Sequence, residues 1–171
     1  MSKQNDSCIF ESNKNDNFMN RILAYLLIII FSIFFGSQIT EGFLLVPYWK
    51  TLSATQFYEY YAQFGLIIGR FYTRLTIIAT LIPIGTTLYC FHKKSKALAH
   101  SITSLFFIIL CLAVCYIYFK DVNQHFFDAS FNPTQLKAEL EIWAQLHWLR
   151  VFLEFLSLIF LILTLNILTK K

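Results

Sequence analysis

The chain has 171 residues, of which 57% are hydrophobic and 18% aromatic, and a mean hydropathy of +0.56; this excludes an ordinary soluble domain and fits a small membrane bundle. Its formal charge is +4, and because the basic residues gather between apolar runs rather than on one stripe, the charge excludes nucleic acid as a partner. Membrane lipid and a hydrophobic small molecule are the partners to expect.

Four apolar runs cover most of the chain, at Ile22–Val46, Phe71–Phe91, Ala97–Phe119 and Val151–Leu168. A bilayer core of ~30 Å takes about 20 helical residues, and at that length only helices satisfy their own backbone polar groups. The expected fold is therefore all-α, a four-helix transmembrane bundle. Residues 1–20 are polar and Asn-rich without apolar periodicity, and read as a disordered cytoplasmic tail ahead of the four-helix domain over 21–171. The long polar lead and the absence of a small-residue cleavage site argue that the first run is a retained span and not a signal peptide.

The first helix is expected to start near Phe18 and to end before Pro47, with Val46–Lys50 as a turn whose Tyr48 and Trp49 suit an interface. Ser53 and Gln56 form a capping box for the second helix. That helix meets no breaker until Pro83, where a kink is expected, and runs to about Phe91. A short connection at His92–Lys96 makes helices two and three antiparallel neighbours. The third helix covers Ala97–Phe119, with His125 in a polar loop beyond it. Asn132, Pro133 and Gln135 open the fourth helix, which runs to Leu168. Helices two and four are longer than a bilayer needs and extend beyond the outer face.

Orientation follows from the flanking charges. Lys3, Lys14, Arg21, Lys93, Lys94, Lys96, Lys170 and Lys171 lie on one side of the spans, against Lys50, Lys120 and Lys137 on the other. The positive-inside rule then places the chain in the cell membrane with both termini cytoplasmic. Cys8, Cys90, Cys111 and Cys115 include no C-x-x-C pair. Cys111 and Cys115 share one helix face and read as small packing residues, with no redox site and no metal placed on them.

Chemistry has to come from polar residues inside the runs. Trp143, His147, Arg150 and Glu154 follow a 4-3-4 spacing and form one stripe on the fourth helix, with Ser157 below. Arg70 and Arg74 share a face of the second helix, under Glu59 and Gln63. Ser37, Gln38 and Glu41 lie at the outer end of the first. All three sets fall at similar depth. Ionisable groups inside a span are costly and usually face the bundle interior in pairs. An excess of arginine beside a titratable imidazole suits a phenolic or anionic ligand, or an enolate formed by proton abstraction. The structural alternative pairs Arg150 with Glu154 and Arg74 with Glu41, and lets Arg70 snorkel to lipid phosphates.

The run Glu41-Gly42-Phe43-Leu44-Leu45-Val46-Pro47-Tyr48-Trp49-Lys50-Thr51-Leu52, followed by Phe57 and Tyr60, resembles the opening of the anthrone-oxygenase-like family of small integral membrane proteins. Trp143-x-x-x-His147-x-x-Arg150 is similar to that family's motif at the start of its last span, and the resemblance covers Ile22 to the C-terminus. It implies four spans and oxidation of an anthrone to an anthraquinone by molecular oxygen, without metal or flavin; many bacterial members have no assigned activity. The Asn-rich segment often found before the last helix is reduced here to Asn123 and Asn132.

The functional expectation is a membrane oxidoreductase of anthrone-oxygenase type acting on a phenolic, anthrone or quinol-like compound without a cofactor. His147 would be the base, Arg150 and Arg74 would stabilise the enolate, and Glu154 would orient Arg150 or His147. Trp143 and Trp49 would wall the pocket, with Arg70, Glu41 and Gln38 also contacting substrate. The alternative is a non-catalytic accessory or lipid-binding protein whose polar cluster is structural.

Overall fold

A computed structural model describes the backbone of residues 2–170 and the side chains of residues 21–170. The tail expected over 1–20 lies outside the residues described in full. The elements are α1 (Ser2–Thr40), α2 (Val46–Thr51), α3 (Ala54–His92), α4 (Leu98–Val114), α5 (Lys120–Phe127) and α6 (Pro133–Thr169). Two π-helical turns, Glu41–Leu45 and Cys115–Phe119, join α1 to α2 and α4 to α5 without a break. The described residues thus form four long rods, at Arg21–Thr51, Ala54–His92, Leu98–Phe127 and Pro133–Thr169, each long and apolar enough to cross a membrane.

Outward-facing residues support that assignment. Leu23, Leu26, Ile29 and Ile33 on α1, Ile67, Ile77 and Leu81 on α3, and Phe152 and Phe155 on α6 are exposed. A bundle built for water would turn such residues inward; one built for lipid has no reason to. The chain is a multi-pass membrane protein by this measure.

The helix starts follow the local sequence. Ser53 accepts from the Gln56 backbone N–H while the Gln56 side chain accepts from the Ser53 N–H, and Asn132 and Gln135 repeat this reciprocal box at α6. Pro133 fills the first turn of α6, where a missing N–H is harmless. α3 and α4 turn back on each other through a tight connection in which Lys94 takes φ 47°.

Two expectations need correction. Val46–Lys50 is helical, and the chain breaks instead at Leu52 and Ser53, whose backbones are extended. A proline ring would clash with the carbonyl four residues back in a regular helix. Here Val46 N–H reaches Glu41 O, five back, and this wider turn lets Pro47 enter as a first-turn residue of α2. The third rod likewise runs past Phe119 to Phe127, because Val122 and Phe126, one turn apart, are both buried. His125 is therefore helical, with its ring tilted against Phe131 at 5.3 Å.

α6 is the central rod, packed along α4 and α1, while α3 packs on α4 and touches α6 much less. Along α6 the interior divides in two. Leu153, Leu158, Leu161 and Leu165 meet Phe31 and Phe34 of α1, Ile82 of α3 and Ile108 of α4 in an aliphatic core. Leu136, Leu140, Trp143 and Ala144 meet Trp49, Phe57, Tyr61, Phe119 and Phe126 in an aromatic one. The rings there meet edge to face, Trp49 to Trp143 at 5.2 Å and Phe57 to Phe126 at 5.1 Å, a preferred geometry for aromatic pairs. The overhangs of α3 and α6 thus pack into a cap with α2 and α5.

Candidate functional site

At the join between the two cores α6 presents His147, Arg150 and Glu154. Residues three and four apart share a helix face, so the stripe points inward wherever α6 is surrounded. Each π turn brings a neighbour to it. The turn on the first rod opens at Glu41 and places Gly42 against His147; the turn on the third opens at Cys115 and closes at Phe119. π turns inserted in longer helices occur frequently at functional sites. Here both lie against the same arginine.

Arg150 is the hub, with its side chain 11% exposed. Its Nη2 donates to Gln38 Oε1 at 2.8 Å and to His147 Nδ1 at 3.0 Å, and lies 3.6 Å from Glu41 Oε2. Nη1 reaches Cys115 Sγ at 3.6 Å, and the guanidinium carbon sits 4.2 Å from the centre of the Phe119 ring, a cation–π contact. Glu41 is 4% exposed. Glu154 does not pair with Arg150; its Oε1 accepts from Cys111 Sγ at 3.4 Å, and its Oε2 has no partner. The buried ion pair is therefore Arg150–Glu41, and neither of the two pairings expected from spacing is present among the described residues.

His147 is fully buried and its ring lies parallel to Trp143 at 5.2 Å. Its Nε2 is 2.9 Å from the backbone O of Gln38. A carbonyl only accepts and a guanidinium only donates, so Nε2 carries the proton and Nδ1 accepts from Arg150. The ring stands behind Arg150, not on the cavity wall, with both nitrogens engaged. Gly42 makes this possible: a Cβ there would lie 2.9 Å from Trp148 and 3.0 Å from His147 Nε2.

A cavity of about 410 Å³ opens beside the hub, between α3 on one side and the other rods. Gln38, Glu41, Trp49, Cys115, Trp143 and Arg150 face it, so five of the expected residues line one chamber. Aromatic walls continue with Tyr61, Tyr72 and Phe119. Trp143 Nε1 donates to Asn123 Oδ1 at 3.0 Å, and Tyr72 OH donates to the Ser37 backbone O at 3.3 Å. Two buried donors on wall residues have no partner, Arg150 Nε and Trp49 Nε1. Arg70 and Arg74 do not reach the hub. They are exposed and line an adjoining cavity.

Spacing had a signal for the cysteines. Cys111 and Cys115 repeat every four residues, as do Arg150 and Glu154, and two antiparallel helices match such pairs turn for turn. Cys115 meets Arg150 and Cys111 meets Glu154, so these two are part of the polar cluster and not merely packing. Among the described residues no three His, Cys, Asp or Glu side chains converge as a metal would require. Comparison of the chain with protein families, with curated proteins and with solved structures finds no match.

Proposed function

We propose that this multi-pass membrane protein binds a flat, largely apolar molecule bearing an acceptor oxygen, a phenol, anthrone or quinol, in the chamber beside Arg150, and oxidises it. The observation that carries the reading is a cavity bordered by Arg150, Glu41 and Gln38 and by five aromatic rings, in which two wall residues keep a buried donor without a partner, Arg150 Nε and Trp49 Nε1. A buried donor without an acceptor costs about 1–3 kcal/mol, and a ligand oxygen removes that cost. Rings of Trp49, Tyr61, Tyr72, Phe119 and Trp143 suit a planar body. The charge bias of the flanking segments supports a cell-membrane orientation with both termini cytoplasmic.

For the oxidation, Glu41 is the group on the wall able to take a proton from an acidic C–H or O–H, and Arg150 stabilises the resulting oxyanion. In the anthrone case the methylene carbon loses two hydrogens and gains one oxygen, dioxygen being reduced to the new carbonyl and one water. Gln38 and His147 hold Arg150 in place for this step.

The non-catalytic reading draws on the number of hydrogen bonds that Arg150, His147 and Gln38 already make to one another. The two readings separate by experiment. Anthrone binding to purified protein, and oxygen uptake with anthrone, are measured for wild type, Arg150→Gln and Glu41→Gln. Binding weakened at least about tenfold by Arg150→Gln, and uptake lost in Glu41→Gln with binding retained, are the expected results. Equal binding in all three overturns the pocket; absence of anthrone binding and oxygen uptake in the wild type, with stability recovered in Arg150→Glu with Glu41→Arg, supports the structural reading instead.

A further inference from the structure

The inner chamber does not end at Arg150. A second cavity of about 500 Å³ adjoins it, and the two share Tyr61, Gly65, Gly69, Thr73, Lys120 and Asn123. Gly65, Gly69 and Thr73 recur every four residues on α3 and so lie on one face. At Gly69 a Cβ would meet nothing within 4 Å, so the residue borders open space and not a packed neighbour. At Gly65 a Cβ would lie 2.7 Å from the Tyr61 ring, so that ring rests directly over the glycine at the join.

The two chambers differ in charge. In the inner one Arg150 faces Glu41 at 3.6 Å and those two charges offset, while Lys120 borders both chambers. In the outer one Arg70, Arg74 and Lys120 line the wall with no Asp or Glu among them. Among the described residues neither arginine has a carboxylate within 4.0 Å. Lys120 Nζ is 5.0 Å from the Tyr116 ring centre and has no carboxylate partner either. Arginines midway along a rod built to cross a membrane are costly without a counter-charge. Three unmatched cations on one cavity exceed what a single carboxylate neutralises and suit a dianionic phosphate, which arginine forks hold well.

We infer that the two cavities form one elongated site for a single-chain amphiphile with a phosphate head. The head sits among Arg70, Arg74 and Lys120, and the apolar body passes over Gly69, beside the Tyr61 ring that covers Gly65, into the chamber of Trp49, Trp143 and Arg150. This rests on the proposed function for its inner end and specifies the rest of the ligand.

Trp49 and Trp143 line the inner chamber and report on it directly. With Trp148→Phe removing the outward-facing indole, tryptophan quenching is measured in neutral detergent. The probes are a lysophosphatidic acid brominated at its chain end, the matching brominated monoglyceride, and inorganic phosphate as competitor. Saturable quenching by the phosphate probe is expected, tighter than by the monoglyceride by about fivefold per cation. Arg70→Gln with Arg74→Gln, or Lys120→Gln alone, narrows that preference. Gly69→Phe removes the saturable quenching by closing the passage. Equal affinity for the two probes overturns the head site, and quenching undiminished by Gly69→Phe overturns the passage. Displacement by inorganic phosphate at equal concentration means a free-anion site and overturns the amphiphile. The inner reading is judged apart from these, on headless anthrone with Arg150→Gln, so its failure leaves the head preference standing or falling by itself.

Discussion

Two polar spots lie about two turns apart on the buried face of α6, around Arg150 and at Ser157, and they are built in opposite ways. At the lower one Ser157 Oγ donates to Ser104 O at 2.9 Å and Ser104 Oγ donates to Ser157 O at 2.8 Å. Both serines are fully buried, and their short side chains let α4 and α6 approach closely. Nothing is left over. At the upper spot Arg150 Nε, Trp49 Nε1 and Glu154 Oε2 remain without partners, and a cavity opens beside them. Complete satisfaction marks a joint between helices; the unpartnered groups at the upper spot are those the proposed ligand would have to satisfy.

The largest test of this contrast is Arg150→Leu. It strands the Glu41 carboxylate in the interior and should lower stability by about 3–5 kcal/mol, read by reversible unfolding in detergent. Adding Glu41→Leu should recover most of the loss, since replacing both partners of a buried pair is often neutral. Failure of that recovery would mean that Arg150 packs the bundle by other means.

Gly42→Ala should cost about 1–3 kcal/mol by crowding His147 and Trp148. It should also weaken anthrone binding more than a similarly destabilising change in the aliphatic core, because Arg150 loses the imidazole that aims it. Equal weakening by, for example, Ile82→Val would remove the positioning role from His147.

The smallest effect belongs to the serine pair. Ser104→Ala with Ser157→Ala should cost about 1 kcal/mol or less, the usual scale for interhelical hydrogen bonds in membranes, and should leave ligand binding unchanged. A cost above that of Arg150→Leu, or a loss of binding, would erase the distinction between the two spots.

Much of this was legible in residue order. Period and run length are local properties, so the four rods, both capping boxes and the inward stripe of Trp143, His147, Arg150 and Glu154 could be read without knowing any neighbour. Pro47 and the stretch 120–127 were misread for one reason: each depends on packing outside its own helix turn. The widened turn at Glu41–Leu45 absorbs the proline, and the buried pair Val122 and Phe126 carries the third rod onward.

The amino-acid order by itself determined that the chain is four apolar helices with charge at one level of the bundle, because each lipid-length helix closes its own backbone hydrogen bonds. Only the tertiary structure decided which charge meets which. Spacing along α6 offered Glu154 to Arg150, yet the π turn on the first rod delivers Glu41 instead, and Glu154 turns to Cys111. The division of labour between Arg150, Arg70 and Arg74 was likewise set in three dimensions. Arg150 borders the inner cavity and is largely buried, while Arg70 and Arg74 are exposed and border the outer one, because α3 packs on α6 much less than α4 and α1 do.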